Sequence, residues 1–139
     1  MAFRKETIKQ QFEQALSERF FEPGEQLQSG VFAQTGPSPW FAGAIGILIY
    51  MALGARWGFF AVTDRRAIFI KASIFSQRPK DLMWADPRSA VRVSDVVADA
   101  KVWNKFSYHR PDGPKPVRVN VNRIWRDELQ SVVAALAAG

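Results

Sequence analysis

The apolar residues near the N-terminus recur with helical spacing. In residues 3 to 20 they lie four positions apart, while Glu and Lys fill the positions between them. This pattern predicts an amphipathic helix, which the Pro23-Gly24 pair ends. The large apolar residues on its one face are Ile8, Phe12, Leu16 and Phe20. Such a face needs a partner surface, either the protein's own core or another protein.

A second amphipathic helix is predicted over residues 123 to 138. Asn122 is suited to cap its first turn, and Asp127 and Glu128 lie early in the helix, where the helix dipole favours negative charge. Its apolar stripe consists of Trp125, Leu129, Val132, Val133 and Leu136.

Between the helices, short segments rich in β-branched and aromatic residues predict strands. Asp64 and Arg65 lie in the turn of one predicted hairpin, and RPDGP at 110–114 is a second turn. Residues 73 to 88 are of mixed polarity and predict a loop or a short edge strand. In the later strands, Phe106, Tyr108 and the valines of 116–121 are expected to face inward, and Arg118 and Asn120 outward. The predicted strands are 26–34, 57–62, 67–72, 89–96, 101–109 and 116–121.

The segment from Pro39 to Ala55 carries no charge, and Trp40 and Trp57 bracket it. As a helix, Trp40 to Ala55 would be about 24 Å long, which is short for a hydrocarbon core of about 30 Å. Tryptophan at both ends is typical of a segment at a membrane interface. Three alternatives follow: a buried cover over the domain, a partly inserted segment, or a single span. A span would place the first strand across the membrane from the sheet that it should join.

The element order predicts an α+β fold with a strongly bent antiparallel sheet or a partly open barrel. An N-terminal helix precedes the first strand, an apolar helical insertion follows it, and a C-terminal amphipathic helix closes the domain. We expect residues 1–25 to form the N-terminal helical unit and residues 26–139 the main domain, including the apolar segment 39–57.

The sequence Phe59-Phe60-Ala61-Val62-Thr63-Asp64-Arg65-Arg66, followed by Ala67-Ile68-Phe69-Ile70, resembles a motif of bacterial pleckstrin-homology-like domains, including GRAM-like and YokE-like members. The motif is an aromatic strand, Thr-Asp-x-Arg and an apolar strand. The resemblance covers about residues 26 to 138. It implies a pleckstrin-homology-like fold and a role in membrane or peptide binding. The apolar segment after the first strand departs from the usual pattern of the family.

Charge is distributed unevenly along the chain. The formal net charge is +6, and residues 56 to 80 contain six Lys or Arg and a single Asp. Basic residues beside a membrane-competent segment attract anionic lipid. The charged N-terminus lacks a signal-peptide core, so we expect a cytoplasmic protein that associates with the cytoplasmic side of a membrane, with a single-span integral protein as the alternative.

Catalytic patterns are absent from the sequence. The chain has no Cys and a single His, His109, which has no second ligand or base at a suitable spacing. Gly43 and Gly46 do not form a phosphate loop. We therefore expect no enzyme, no metal site and no cofactor. Phe106 and Tyr108 face inward and no RNP-like motif is present, which disfavours nucleic acid as a partner.

These features predict a noncatalytic, membrane-associated binding module. The predicted membrane-contact residues are Trp40, Phe41, Ile45, Ile47, Leu48, Ile49, Leu53 and Trp57, and the predicted lipid-headgroup residues are Arg65, Arg66, Lys71, Arg78 and Lys80. For Arg65 and Arg66 a structural role in the turn is an equal alternative, with Asp64 or Asp86 as the partner of Arg66. The alternative function is a soluble protein-interaction or assembly module whose apolar segment is buried in a homo- or hetero-oligomer. The expected partner is therefore a membrane lipid, a membrane protein or another copy of the chain.

Overall fold

The computed structural model describes residues 2–36, 46, 56–72, 79–111 and 115–138. Helices flank seven strands, one more than the six strand ranges that the sequence predicts. The elements are α1 (Ala2–Ala15), which continues into a π-helical turn (Leu16–Phe20), β1 (Leu27–Thr35), β2 (Arg56–Thr63), β3 (Arg66–Ala72), β4 (Pro79–Pro87), β5 (Arg92–Val97), β6 (Trp103–His109), β7 (Val117–Asn122) and α2 (Arg126–Ala138).

The seven strands form one antiparallel sheet in the order β4-β3-β2-β1-β7-β6-β5. The sheet bends so strongly that Trp84 of the edge strand β4 stacks on Tyr108 of β6, with the ring centroids 5.4 Å apart. This confirms the predicted α+β class and the strongly bent, partly open sheet.

The inner side of the bent sheet holds an aromatic cluster around Phe60. Its ring centroid lies 5.0 Å from that of Tyr108 and 5.6 Å from that of Phe106, both edge-on. Phe69 stacks on Trp84 at 4.9 Å. The inward orientation predicted for Phe106 and Tyr108 is confirmed, because neither has any exposed surface.

The outer side of β1 and β2 is covered by the helices. Phe59 of β2 stacks on Phe12 of α1 at 5.1 Å and meets Trp125 edge-on at 6.3 Å. Phe32 of β1 contacts the same two rings. Both faces of β2 are therefore buried, which explains why its sequence is an unbroken apolar run rather than an alternating one.

In the other half of the sheet, the described residues leave the outer face of β6 half-exposed. Along β6, buried residues alternate strictly with half-exposed ones. The half-exposed positions form the outer face of this central strand and are Trp103, Lys105, Ser107 and His109.

Of the two alternatives for the mixed segment 73–88, a loop or a short edge strand, the edge strand is confirmed: residues 79–87 form β4, which is nine residues long and places Trp84 in the core. Two sequence-based expectations need correction. Asn120 was expected to face solvent, but it is fully buried, because the carboxyl end of β1 covers its side chain. The predicted strand 89–96 begins later, since a 3-10 turn occupies Arg88–Ala90. The predicted apolar helix lies outside the described residues, apart from Gly46 and the two residues that begin β2.

We predict that replacing Phe12 by Ala lowers the free energy of unfolding by about 3–5 kcal/mol, because the ring is fully buried against Phe59. The control is Gln10→Ala at an exposed position of the same helix. It should change stability by less than about 0.5 kcal/mol. Chemical denaturation measures both. Equal, small effects would mean that α1 does not belong to the cooperative core.

Candidate functional site

The two ends of the apolar segment meet at one place in the sheet. Thr35, the last residue of β1, is directly opposite Arg56, the first residue of β2, and Gln34 is opposite Trp57. The chain between them therefore leaves the sheet and returns to the same point. A single membrane crossing would separate these residues by roughly 30 Å, the thickness of the hydrocarbon core. The single-span alternative is thus incompatible with the pairing of β1 and β2.

A buried polar clamp fixes the point where the segment leaves β1. Asn120 of β7 donates from Nδ2 to Gln34 Oε1 at 2.6 Å and to the carbonyl of Gly36 at 3.2 Å. The backbone N–H of Gly36 donates to the carbonyl of Arg118 at 3.1 Å, and Arg118 Nε donates to Asn120 Oδ1 at 2.8 Å. Gly36 has a φ of 112°, which side-chain-bearing residues rarely adopt. We call Gln34, Thr35, Gly36, Arg118 and Asn120 the neck.

Two of the predicted headgroup residues lie at the same end of the sheet as the neck. Lys71 of β3 is directly opposite Gly58, two residues from the start of β2. Lys80 follows Pro79, which pairs with the last residue of β3. Lys71 is half-buried and Lys80 is exposed. Part of the basic charge that follows the apolar segment in the sequence therefore lies near the point where this segment leaves the sheet.

Two more of the predicted headgroup residues, Arg65 and Arg66, lie at the opposite end of β2. This strand runs from Arg56 at the neck to Thr63 at the hairpin turn. An extended strand of this length separates these points by roughly 23 Å. The structure thus separates the hairpin turn from the point where the apolar segment emerges, although the two are close in sequence.

Arg66 is held by Glu25, a residue that the sequence analysis did not single out. Its Nη2 donates to Glu25 Oε1 at 2.6 Å, its Nε to Oε2 at 3.0 Å and its Nη2 to the carbonyl of Phe20 at 2.9 Å. Thr63 Oγ1 donates to Glu25 Oε2 at 2.6 Å and accepts from the backbone N–H of Arg66. This cluster, which we call the latch, ties the end of the N-terminal helix to the β2–β3 turn. Asp64 and Asp86 were the partners predicted for Arg66. In these contacts the carboxylate that binds its side chain is Glu25 instead.

The electrostatics of the latch stabilise the charged carboxylate. Burial alone would raise the pKa of Glu25, but hydrogen bonds from Arg66, Thr63 and the backbone N–H of Glu22 outweigh it and lower the pKa to about 2. The same pairing raises the pKa of Arg66. Since the pair is bidentate and partly shielded from water, its geometry favours a structural role. A headgroup role for Arg66 stays a prediction.

Arg65 differs from its neighbour. Its side chain is 44% exposed, and its Nη1 lies 3.5 Å from Oε1 of Glu22, whose side chain is 55% exposed. Asp64 uses Oδ1 to accept the backbone N–H of Gln26 at 3.0 Å, which ties the turn to the start of β1. Of the two arginines, Arg65 is the one that projects into solvent.

Most of the predicted membrane-contact residues lie outside the described ranges, and so does one of the basic residues. Trp57 is described and lies half-buried at the start of β2. Within the described ranges no helix is both long and apolar enough to cross a bilayer. The residues outside them are Trp40, Phe41, Ile45, Ile47, Leu48, Ile49, Leu53 and Arg78.

Asp86 joins the two edges of the bent sheet. It accepts a hydrogen bond from the hydroxyl of Tyr108 at 2.9 Å and two from Arg110, at 3.0 and 3.1 Å. Burial and the bond to Asp86 raise the pKa of Tyr108, so its hydroxyl remains a donor. Asp86 is therefore the partner of Arg110.

His109 bonds through Nε2 with Ser94 Oγ at 2.7 Å. In the part of the chain that the structure describes, no three His, Cys, Asp or Glu residues come together as a metal site.

No protein-family model matches the chain, and no curated protein is similar to it in sequence. Among solved structures, the chain is similar to the crystal structure of a pleckstrin homology domain from Shewanella amazonensis SB2B. The alignment covers 92% of this chain and 96% of that one, with 16% identity and a TM-score of 0.48. The seven antiparallel strands and the C-terminal helix seen here agree with the pleckstrin-homology-like α+β fold that the sequence predicted.

We predict that Arg66→Ala and Arg65→Ala differ sharply in stability. Removing Arg66 leaves the buried carboxylate of Glu25 without its partner and should cost about 3–5 kcal/mol. Removing the exposed Arg65 should cost less than about 0.5 kcal/mol. Urea unfolding of the two variants measures the difference. Similar losses in both would contradict the structural role of the latch.

The lowered pKa of Glu25 predicts a specific acid sensitivity. Because its pKa falls from 4.5 to about 2 on folding, its contribution to stability is complete well above pH 4.5 and is lost as the pH falls toward 2. Between pH 6 and pH 3 this loss amounts to about 2 kcal/mol. Glu25→Gln lacks the titrating group, so the wild-type advantage over this variant should shrink by that amount across the range. Parallel stability curves for the two proteins would contradict it.

Proposed function

We propose that the protein is a noncatalytic binding module that attaches to membranes through the apolar segment between β1 and β2. We call this segment, residues 36–55, the excursion. The observation that carries this proposal is the pairing of Thr35 with Arg56. Because of this pairing, both ends of the excursion lie at the neck. No charged residue lies between these two positions. The proposed membrane contact is thus an uncharged, apolar segment whose two ends lie at one end of the sheet.

The length of the excursion suits insertion into one leaflet. Twenty residues separate Thr35 from Arg56. If half of these residues lead away from the sheet and half return, the tip lies at most about 33 Å from the sheet when the backbone is fully extended and about 15 Å from it when the backbone is helical. One leaflet of the hydrocarbon core is about 15 Å thick. The apolar residues from Trp40 to Leu53 therefore have enough reach to enter the near leaflet and return.

Basic residues near the neck supply the second attraction. Lys71 and Lys80 lie at this end of the sheet. Each Lys or Arg close to an anionic surface contributes roughly 1 kcal/mol. One apolar insertion combined with a basic surface is what stable peripheral binding requires. Arg66 is left out of this proposal because Glu25 holds it, and Arg65 because it lies at the far end of β2.

Flotation with vesicles of phosphatidylcholine and phosphatidylglycerol tests the proposal. Trp40→Ala combined with Ile47→Ser should reduce vesicle binding by about tenfold or more, because both changes remove apolar surface from the excursion. The matched control is Ile124→Ser, at an exposed isoleucine outside the excursion, which should bind as the wild type does. Unchanged binding by the double variant would refute the membrane role. A monodisperse oligomer without vesicle affinity would instead favour the protein-assembly alternative.

A further inference from the structure

Within the described ranges, the outer face of β5, β6 and β7 carries basic side chains that are half-exposed or exposed. On β6 the outward positions are Lys105, Ser107 and His109, all half-exposed. The strand register places Arg92 of β5 directly opposite His109, and Arg118 of β7 directly opposite Ser107. We call Arg92, Lys105, His109 and Arg118, with the serines between them, the outer basic face.

Among the described residues, few carboxylates lie beside the outer basic face. None of the outward positions that the register pairs on β5, β6 and β7 is acidic. Asp95, in the bulge of β5, is a neighbouring carboxylate in this part of the chain, and its Oδ2 lies 3.3 Å from Ser94 Oγ. The register sets the uncharged residues Asn120 and Ser107 opposite Lys105 and Arg118, respectively. Hydroxyl groups among them are suitable donors to phosphate oxygens.

A groove continues the face toward the β6–β7 turn. It has a volume of about 470 Å³, and its lining includes Arg92, His109 and Lys115. Arg92 and Lys115 are exposed. A phosphate group with its neighbouring polar atoms fits a space of this size and charge.

The face is also continuous with the neck. Lys105 is directly opposite Asn120, whose amide holds Gly36 at the start of the excursion. Arg118 belongs both to the face and to the neck. An excursion that enters a leaflet therefore brings this sheet face toward the headgroups of the same leaflet.

We propose that the outer basic face binds the phosphate groups of anionic lipids. This inference rests on the proposed membrane role and identifies the surface that recognises the headgroups. It places recognition on the outer side of β5, β6 and β7 rather than on the hairpin turn at Arg65 and Arg66. A negatively charged bilayer is complementary in charge to the face. The face also adjoins the neck, from which the excursion is proposed to enter the same bilayer.

The test compares two double variants that lose equal charge. Arg92→Gln with Lys105→Gln changes the outer basic face, whereas Lys101→Gln with Arg123→Gln removes two exposed cations elsewhere. Vesicles of phosphatidylcholine alone and of phosphatidylcholine with phosphatidylglycerol in equal parts are the probes. The first variant should lose about tenfold or more of its binding to the anionic vesicles, and the control about threefold or less. Binding to the neutral vesicles should be the same for both. Thermal unfolding confirms that both variants fold.

The outcomes separate this inference from the proposed function. Wild-type protein that floats with neither vesicle refutes both. Wild-type protein that floats with anionic vesicles while the two double variants lose binding equally refutes only the outer basic face. A face variant that binds vesicles normally but loses affinity for a single-stranded oligonucleotide would show that the surface serves nucleic acid instead.

Discussion

The pairing of β1 with β2 fixes the point at which the uncharged segment leaves the sheet and returns to it. Without it, the uncharged segment from Pro39 to Ala55 is a short candidate for a membrane span. With Thr35 directly opposite Arg56, the same segment is an excursion that starts and ends at one point of a sheet. The clamp of Asn120 on Gln34 and Gly36 holds that point by buried hydrogen bonds, which are costly to break. The sheet thus determines where the apolar segment emerges.

The two ends of the sheet have different physical roles. At the neck, polar side chains hold the excursion and basic residues surround it. At the opposite end, the latch between Glu25 and Arg66 joins the N-terminal helix to the β2–β3 turn. The helix covers the outer side of β2, where Phe12 meets Phe59. Arg66, which suggests ligand binding in the sequence, is therefore held in the latch, while the cations that we propose to bind headgroups lie on β5, β6 and β7.

The sequence predicts most of the elements because their patterns are local. The apolar runs of β2 and β3 and the four-residue spacing of α1 depend only on neighbouring residues. Contacts between distant residues are not encoded in this way. Asn120 follows the alternation of an exposed residue, but its partner Gln34 lies 86 positions away and buries it. Glu25 pairs with Arg66 across 41 positions, and no local spacing indicates that pairing. Trp84 lies in a segment of mixed polarity and enters the core only because the sheet bends back toward β6.

The location of residue 47 relative to the bilayer shows whether the apolar segment inserts into a membrane. The native chain has no Cys, so Ile47→Cys and Arg65→Cys each provide a unique site for a fluorescent label. With anionic vesicles, the label at 47 should be quenched by lipid-bound quenchers and shielded from iodide, while the label at 65 should remain accessible to iodide. A label at 47 that stays in water when vesicles are present, or labels that both enter the lipid, would contradict an excursion that inserts from the neck end of the sheet.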